Sequence, residues 1–213
     1  MKRILVIERE YGAGGSAIAE KAAQRLGWKL LDQALTEQIA SLAKISPEVC
    51  QHREERVDPW LYRLAKVFWR GSHERSVGLP DADIVDADHL ICLSQRVIEE
   101  AAKGSQCVIV GRAAAYFLRD RADTFCVFLY ASREFKYRRV LAETKDEAEA
   151  LRLVDSVDQD RAAFVRHYYK VEWPSRHLYH AMLNTSIGDD ATVDTILNLI
   201  EAANRREAEH GKS

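Results

Sequence analysis

A glycine-rich segment near the start of the chain is the stretch with the clearest capacity for chemistry. Residues 4–16 read ILVIEREYGAGGS, so a short apolar run leads into Gly12, Gly14 and Gly15, and a helical pattern follows over residues 17–26. A loop between a strand and a helix directs backbone N–H groups and the positive end of the helix toward an anion. The segment therefore predicts a phosphate-binding loop or, as the simpler interpretation, an ordinary tight turn between a strand and a helix.

The standard phosphate loop, G-x-x-x-x-G-K-[ST], is matched only in part. With the second glycine of the pattern on Gly14, Arg9 stands in place of the first glycine and Gly15 stands in place of the lysine. Ser16 falls on the hydroxyl position, where it could bind Mg²⁺ or cap the helix. Two of the four defining positions are therefore different.

Charged residues also follow other predicted strands. Arg112 follows a buried-strand pattern at 106–110, and Asp32 follows a short one at 28–31, where it could face a bound substrate or cap the next helix. Because strands alternate with helices, we expect a parallel sheet covered on both faces, with ligands beyond the carboxyl ends of its strands. Arg9, Asp32 and Arg112 should then converge with the glycine loop on one edge of the sheet.

The remaining patterns complete an α/β arrangement in three layers, α/β/α. Helical patterns cover residues 33–43, 60–70, 87–103, 133–143, 146–169 and 192–203, and strand patterns cover residues 124–130 and 180–184. Residues 71–86 show no periodicity and are predicted to form a loop, and the polar tail from Asn204 is predicted to fray.

Composition narrows the classes of function. At 213 residues and 24.2 kDa the chain suits one domain with a small insertion. The net charge of −2 offers no bulk attraction to nucleic acid or an anionic membrane, and the first apolar run is too short for a membrane span, so we expect neither partner. The cysteines are scattered without a C-x-x-C pair, which favours reduced thiols and a cytoplasmic location. The histidines show no zinc-binding spacing.

Two helical patterns carry charges that admit two interpretations. The basic cluster of Lys136, Arg138 and Arg139 could reach the phosphates of a nucleotide or form a solvated helix face. Asp158 and Arg161 lie three residues apart on one helical face, which by itself indicates an intrahelical ion pair. Three aromatic residues after them could stack on a base, although packing at the end of a helix explains them as well: Tyr168, Tyr169 and Trp173.

Five short stretches, spread in one order over nearly the whole chain, carry a family resemblance. They are Arg9 to Gly15, the strand ending in Gly111-Arg112, Ala131-Ser132 with the basic helix, Asp158 to Arg161 with the aromatic residues after it, and Asn184-Thr185-Ser186. In this combination the chain resembles the nucleoside monophosphate kinases, and in particular the cytidylate kinase-like family. The resemblance implies a P-loop NTPase fold with a five-stranded parallel sheet, a helical substrate-binding insertion over residues 32–95 and a short lid over residues 139–158.

The resemblance also implies transfer of the γ-phosphoryl group of ATP, with Mg²⁺, to a nucleoside monophosphate, with CMP or dCMP as the leading acceptor. It places Asp158 and Arg161 on the pyrimidine nucleotide and Arg112 on the acceptor phosphate. Asp32 is the further candidate for contact with the acceptor, from its place after the second predicted strand. Arg9 would replace the missing lysine and would act in catalysis with Arg112 and Arg161. The residues expected at ATP are Gly12, Ala13, Gly14, Gly15, Ser16, Lys136 and Arg139, and Ser16 is also the candidate magnesium ligand.

Two positions depart from the pattern of the cytidylate kinases. Gly15 stands where the phosphate-loop lysine belongs, and Ala113 stands where those kinases carry an aspartate. A second hypothesis is therefore a regulatory protein that binds a nucleotide without turnover. A third is a kinase for a different acceptor, because residues 33–95 look little like a standard pyrimidine pocket. The apolar face of the predicted helix at 60–70 admits a homodimer or burial within the insertion.

Overall fold

A computed structural model of the protein describes residues 1–32, 87–104 and 106–210. Five strands lie within these ranges: β1 (Ile4–Arg9), β2 (Lys29–Leu31), β3 (Cys107–Val110), β4 (Thr124–Tyr130) and β5 (Ala181–Asn184). They form one sheet in the order β2-β3-β1-β4-β5, and neighbouring strands are parallel throughout. The predicted parallel sheet is thereby confirmed.

Six α-helices lie within the same ranges. They are α1 (Gly15–Leu26), α2 (Ala87–Gly104), α3 (Ala114–Leu118), α4 (Arg133–Thr144), α5 (Glu147–Tyr169) and α6 (Asp189–His210), with single turns of 3₁₀ helix at Arg176–Leu178 and Thr185–Ile187. None of the helices described here is both long enough and apolar enough to cross a membrane.

β1 lies at the centre of the sheet and is buried on both faces. Val6 belongs to a core cluster that includes residues of α2, α3 and α5, whereas Ile7 belongs to the cluster formed with α1 and α6. Burial on both faces explains why this strand reads as a continuous apolar run rather than as an alternating one. Its carboxyl end delivers two charged residues, Glu8 and Arg9, into the interior of the protein.

Two elements differ from the expectation drawn from the sequence. α3 spans only five residues, which is too short for a periodic pattern to reveal it. α6 continues to His210, so the prediction that the tail frays from Asn204 is wrong. Contacts with the start of the chain hold this end, because the Lys2 N–H donates to Asn204 Oδ1 at 2.5 Å and the Met1 amino group lies 2.6 Å from the Glu207 carboxylate.

Several predicted features lie outside the described residues. They are the helices at 33–43 and 60–70, the loop at 71–86, and with them most of the predicted insertion over 32–95 and the helix considered for a homodimer.

The predicted lid, residues 139–158, coincides with the junction of α4 and α5. Only Lys145 and Asp146 connect the two helices, and Asp146 caps α5 by accepting the Glu149 N–H at 3.0 Å. The helices also pack on each other through a small buried apolar cluster. A lid function for this helical pair stays a prediction.

The layer formed by α6 allows a test of the core. Ile196 is fully buried in the cluster shared with α1 and the sheet, whereas Leu199 of the same helix is 36% exposed. We expect Ile196→Ala to lower the free energy of unfolding by about 2–5 kcal/mol, because the truncation leaves a cavity. Leu199→Ala should lower it by less than about 1 kcal/mol. Denaturant unfolding measures both, and equal losses would contradict this orientation of α6.

Candidate active site

The glycine loop runs from the end of β1 to the start of α1. Gly12 and Gly14 have positive φ angles of 76° and 79°, which glycine adopts without strain. Gly14 is the N-cap residue of α1 and no side chain caps the helix, so the alternative prediction that Ser16 caps it is wrong. The first turn of α1 contains no acidic residue, and its positive end therefore faces the loop without a carboxylate of its own.

α4 packs directly against this loop. A Cβ added to Gly12 would lie 2.9 Å from Val140 Cγ2, and one added to Gly14 would lie 2.5 Å from the guanidinium carbon of Arg139. That guanidinium also donates two hydrogen bonds of 2.8 Å to the Asp189 carboxylate. These bonds raise the pKa of Arg139 and lower the pKa of Asp189. Arg139 is thus anchored over the loop by the first residue of α6.

The side chain of Arg9 lies against two glycines. A Cβ added to Gly15 would lie 2.7 Å from Arg9 Cγ, and one added to Gly111 would overlap Arg9 Nη1. Arg9 is only 6% exposed, yet it lines the cavity at the loop. The Arg9 side chain can therefore occupy this position only because residues 15 and 111 have no side chain.

A cavity of about 70 Å³ lies at the loop. Seven of the residues predicted to form the site line it: Arg9, Gly12, Gly14, Gly15, Ser16, Arg139 and Arg161. The loop, α4 and α5 all contribute, so the structure brings these seven residues together around one space, whereas Ala13 and Lys136, which are also predicted at ATP, do not line it. Glu143 adds a carboxylate to the wall.

Asp32 connects the loop to the neighbouring strand end. Ser16 Oγ donates to Asp32 Oδ2 at 3.1 Å. Arg112 donates to the backbone oxygen of Asp32 at 3.1 Å, and its guanidinium lies 3.6 Å from Asp32 Oδ1. Arg112 is only 3% exposed, and burial lowers its pKa to about 10, so it remains charged at neutral pH. Ser16, Asp32 and Arg112 therefore form one connected group, as their predicted convergence requires.

The turn that carries Arg112 has an uncommon backbone. Gly111, Arg112 and Ala113 have φ angles of 65°, 58° and 57°, and only the first of them is a glycine. Two consecutive non-glycine residues in the left-handed region carry strain, which occurs preferentially at functional sites. The turn leads directly from β3 into α3 and positions the Arg112 guanidinium beside Asp32.

Asp158 is the centre of a second group. It accepts the Tyr11 N–H at 2.8 Å, the Lys136 ammonium at 3.0 Å and the Arg161 guanidinium at 3.3 Å. Lys136 also lies 3.0 Å from the Glu10 carboxylate. Although burial lowers it, these two carboxylates hold the pKa of Lys136 above its ordinary value. Asp158 therefore does more than form an intrahelical pair with Arg161, because its other hydrogen bonds connect α5 to α4 and to the loop.

Arg161 completes this connection to β1. It is 4% exposed and donates to the backbone oxygen of Arg9 at 3.0 Å. Burial, followed by the nearby charge of Arg9, lowers its pKa to about 10. Arg161 is therefore a buried neighbour of Arg9. Its low exposure is similar to that of Arg112.

The basic cluster of α4 separates into two environments. Arg138 is exposed and pairs with Glu134 one turn away, as expected of a solvated helix face. Lys136 is 8% exposed and Arg139 contacts the loop, so for these two residues the solvated interpretation does not hold.

The aromatic residues after α5 pack against the protein. Tyr169 stacks on Tyr116 with ring centroids 4.4 Å apart, and Trp173 meets Phe128 edge to face at 5.4 Å. These contacts favour the packing interpretation over stacking on a base.

Glu8 is a buried charge that the sequence reasoning did not assign. It is 3% exposed, and its Oε1 has no hydrogen-bond partner among the described residues. Burial raises its pKa, whereas the charges of Arg9, Arg161 and Arg112 lower it in part. The Glu8 charge also contributes to the raised pKa values of three tyrosine hydroxyls, which burial raises most: Tyr116, Tyr169 and Tyr179. The signal in the sequence was an acidic residue that continues an apolar strand pattern.

Within residues 1–32, 87–104 and 106–210, no group of three His, Cys, Asp or Glu side chains is placed to hold a metal ion. Oxygen donors beside the loop are nevertheless available as a pair in Ser16 and Asp32.

Comparisons with known proteins agree with this architecture. The sequence model of the cytidylate kinase-like family matches residues 4–187. No curated protein matches the chain. An uncharacterized protein from Eubacterium ventriosum ATCC 27560 is similar in structure, with a TM-score of 0.66 and 23% identity over 95% of this chain and 99% of its own.

Two kinases have related folds. A shikimate kinase from Acinetobacter baumannii, solved in complex with shikimate, has a TM-score of 0.53 at 17% identity over 95% of this chain and 94% of its own. A gluconokinase from Sinorhizobium meliloti 1021 has a TM-score of 0.52 at 16% identity over 99% of this chain and 97% of its own. At these identities the likeness concerns the fold, which is that of P-loop kinases.

Glu8 generates a pH test. Because its pKa is raised in the folded protein, the folded state binds this proton more tightly than the unfolded state does. The corresponding stability is present below the ordinary pKa of 4.5 and is lost as the pH rises through the raised value. Glutamine mimics the protonated form. The free energy of unfolding of Glu8→Gln, relative to the unmodified protein, should therefore increase as the pH rises above 4.5. Denaturant unfolding measures this difference, and a constant difference would contradict the raised pKa.

Asp158 generates a test of the network. We expect Asp158→Ala to lower the free energy of unfolding by about 3 kcal/mol, because it leaves Lys136 and Arg161 without this carboxylate. Asp155→Ala is the matched control on the same helix, since Asp155 pairs with Arg133 at an exposed site, and it should change stability little. Thermal and denaturant unfolding compare the two variants. If Asp155→Ala lowers the free energy of unfolding as much as Asp158→Ala does, the network around Asp158 does not stabilise the protein more than an exposed ion pair.

Proposed function

The chain belongs to the cytidylate kinase-like family, and from this membership we propose that it is a kinase that transfers the γ-phosphoryl group of ATP, with Mg²⁺, to a small molecule. CMP or dCMP is the first candidate acceptor. In this reaction an oxygen atom of the acceptor attacks the γ-phosphorus and ADP leaves. The protein has to position both groups and stabilise the negative charge between them.

One observation carries the proposal: three arginines, each less than a tenth exposed, meet beside the glycine loop at one edge of the sheet. They are Arg9, Arg112 and Arg161. Guanidinium groups bind phosphoryl oxygens through paired, charge-assisted hydrogen bonds. Arg112 and Arg161 are held in place by Asp32 and Asp158, and the positive end of α1 points to the same edge.

We assign the nucleotide to the loop side of this edge. The backbone N–H groups of residues 12–16 would hold the β- and γ-phosphates, with Arg9 and Arg139 as the nearby cations. Lys136 is bound by Glu10 and Asp158. We therefore propose that it orients Asp158 rather than contacting the phosphates itself.

Ser16 and Asp32 would provide the protein ligands for Mg²⁺. Magnesium prefers oxygen ligands and usually keeps several waters while it binds phosphate oxygens. The hydroxyl and the carboxylate lie 3.1 Å apart beside the loop, which supports this assignment. When bound, the ion supplies charge neutralisation on the transferring group.

The acceptor is proposed to lie on the side of Arg112 and Asp32. Arg112 follows β3, which pairs with β1, and Asp32 follows β2, which pairs with β3; the Arg112 guanidinium is held in place by Asp32. Arg161 lines the loop cavity, and we propose that it also binds the acceptor, with Asp158 fixing its orientation. The choice of CMP or dCMP comes from the family, and the fold relatives suggest hydroxylated acids such as shikimate and gluconate as comparison acceptors.

A protein that binds ATP without turnover is the second candidate. Ala113 stands at the position where cytidylate kinases carry an aspartate, and it is buried, so this position brings no carboxylate into the site. Lys136 and Arg139 are both engaged by carboxylates, which leaves fewer cations for a transferring group.

Transfer of labelled γ-phosphate tests the first proposal. The purified protein is given ATP and Mg²⁺ with CMP, dCMP, shikimate or gluconate, and labelled product is measured. We expect CMP or dCMP to be phosphorylated. Arg112→Ala should lower kcat/KM for the acceptor by about tenfold to a hundredfold, because a charged hydrogen bond to the acceptor is lost. Arg119→Ala, at an exposed arginine paired with Asp120, is the control and should leave kcat/KM unchanged.

Calorimetric titration with ATP and Mg²⁺ separates the two candidates. ATP binding without transfer to any acceptor would favour the protein without turnover. A protein that does not bind ATP would refute both.

A further inference from the structure

Arg9 and Gly15 are sterically dependent on each other. A Cβ on Gly15 would lie 2.7 Å from Arg9 Cγ, 3.1 Å from Cδ and 3.2 Å from Cβ, so the whole aliphatic part of Arg9 runs along the face of residue 15. The far end of the same side chain lies where a Cβ on Gly111 would be. Arg9 can keep this place only because neither residue has a side chain.

Arg9 also has little freedom to move aside. It is 6% exposed, it belongs to the central strand, and its backbone oxygen accepts a hydrogen bond from Arg161. A side chain introduced at residue 15 therefore meets a packed neighbour rather than a flexible surface residue. A lysine at this position, which the standard loop would require, is incompatible with Arg9 as the structure has it.

The positions of these two residues in the loop are informative. In the standard pattern a glycine opens the loop and a lysine closes it, six residues later. Here the opening position holds Arg9 and the closing position holds Gly15, and both residues line the same cavity. The cation and the small residue have changed places.

We propose that Arg9 and Gly15 form an exchanged pair, in which Arg9 supplies the loop cation from the opening position and Gly15 provides the space for its side chain. The inference rests on the proposed binding of a nucleotide at this loop. It predicts that each residue alone is intolerant of change toward the standard pattern, whereas the two changes made together are tolerated.

Five variants test the exchange: Gly15→Ala, Gly15→Lys, Arg9→Gly, and the double variants Arg9→Gly/Gly15→Ala and Arg9→Gly/Gly15→Lys. Two quantities are measured for each, the thermal unfolding midpoint without nucleotide and the Kd for ATP with Mg²⁺ by calorimetry. The first reports the steric part of the proposal, and the second reports the cation. The backbone oxygen that accepts from Arg161 remains in every variant.

The expected results differ between the two measurements. Gly15→Ala and Gly15→Lys should lower the unfolding midpoint, and both double variants should recover to the midpoint of Arg9→Gly. Arg9→Gly and Arg9→Gly/Gly15→Ala should bind ATP about tenfold to a hundredfold more weakly than the unmodified protein, because a charged partner of the phosphates is missing. Arg9→Gly/Gly15→Lys should regain most of that affinity.

Two results would overturn the proposal. One is a Gly15→Lys variant with an unchanged midpoint and unchanged ATP affinity. The other is an Arg9→Gly/Gly15→Lys variant that binds ATP no more tightly than Arg9→Gly/Gly15→Ala. If the unmodified protein does not bind ATP at all, the proposed function fails together with the cation role of Arg9, and the midpoints still decide whether residues 9 and 15 compete for one space.

Discussion

Enclosed positive charge is the constraint on which the rest of this structure depends. A buried guanidinium is tolerated only where anions and carbonyl oxygens compensate it. Arg112 has Asp32 from the end of β2, and Arg161 has Asp158 together with the backbone oxygen of Arg9. Asp158 lies on the same helix as Arg161, but Asp32 and the Arg9 backbone oxygen come from other elements than the arginines they compensate, so full compensation needs the sheet and α5 to be assembled. The cation arrangement is therefore set by folding rather than by a ligand.

Each side of this sheet edge has its own group of compensating contacts. Asp158 accepts from the backbone of Tyr11 in the loop while it holds Lys136 of α4 and Arg161 of α5. On the other side, Asp32 joins the hydroxyl at the start of α1 to Arg112 after β3. The donor and acceptor positions of the proposed reaction are thus each held by a group of hydrogen bonds, and the Arg112–Asp32 contact joins the strained turn at residues 111–113 to the end of β2.

The sequence was sufficient for the sheet and for the edge at which the site lies. Strand patterns such as residues 124–130 are long and apolar, and parallel strands place their carboxyl ends together, so the convergence of Arg9 and Arg112 follows from order along the chain. The partners of the charged side chains could not be predicted from the sequence, because they come from distant parts of the chain. The hydrogen bond from Tyr11 to Asp158, for example, joins residues 147 positions apart. Spacing alone indicated the local Asp158–Arg161 pair, and propensity could not show that Gly14 rather than Ser16 caps α1.

The shared space of residues 9 and 15 constrains the evolutionary path between this loop and the standard one. A lysine cannot arise at residue 15 while arginine occupies residue 9, because the two side chains need the same volume. The order of substitution is therefore directed. A loop with glycine at both positions is one sterically permitted intermediate, and it contains neither cation. By this route, the two loop types are separated by a step at which the proposed phosphate site lacks this charge.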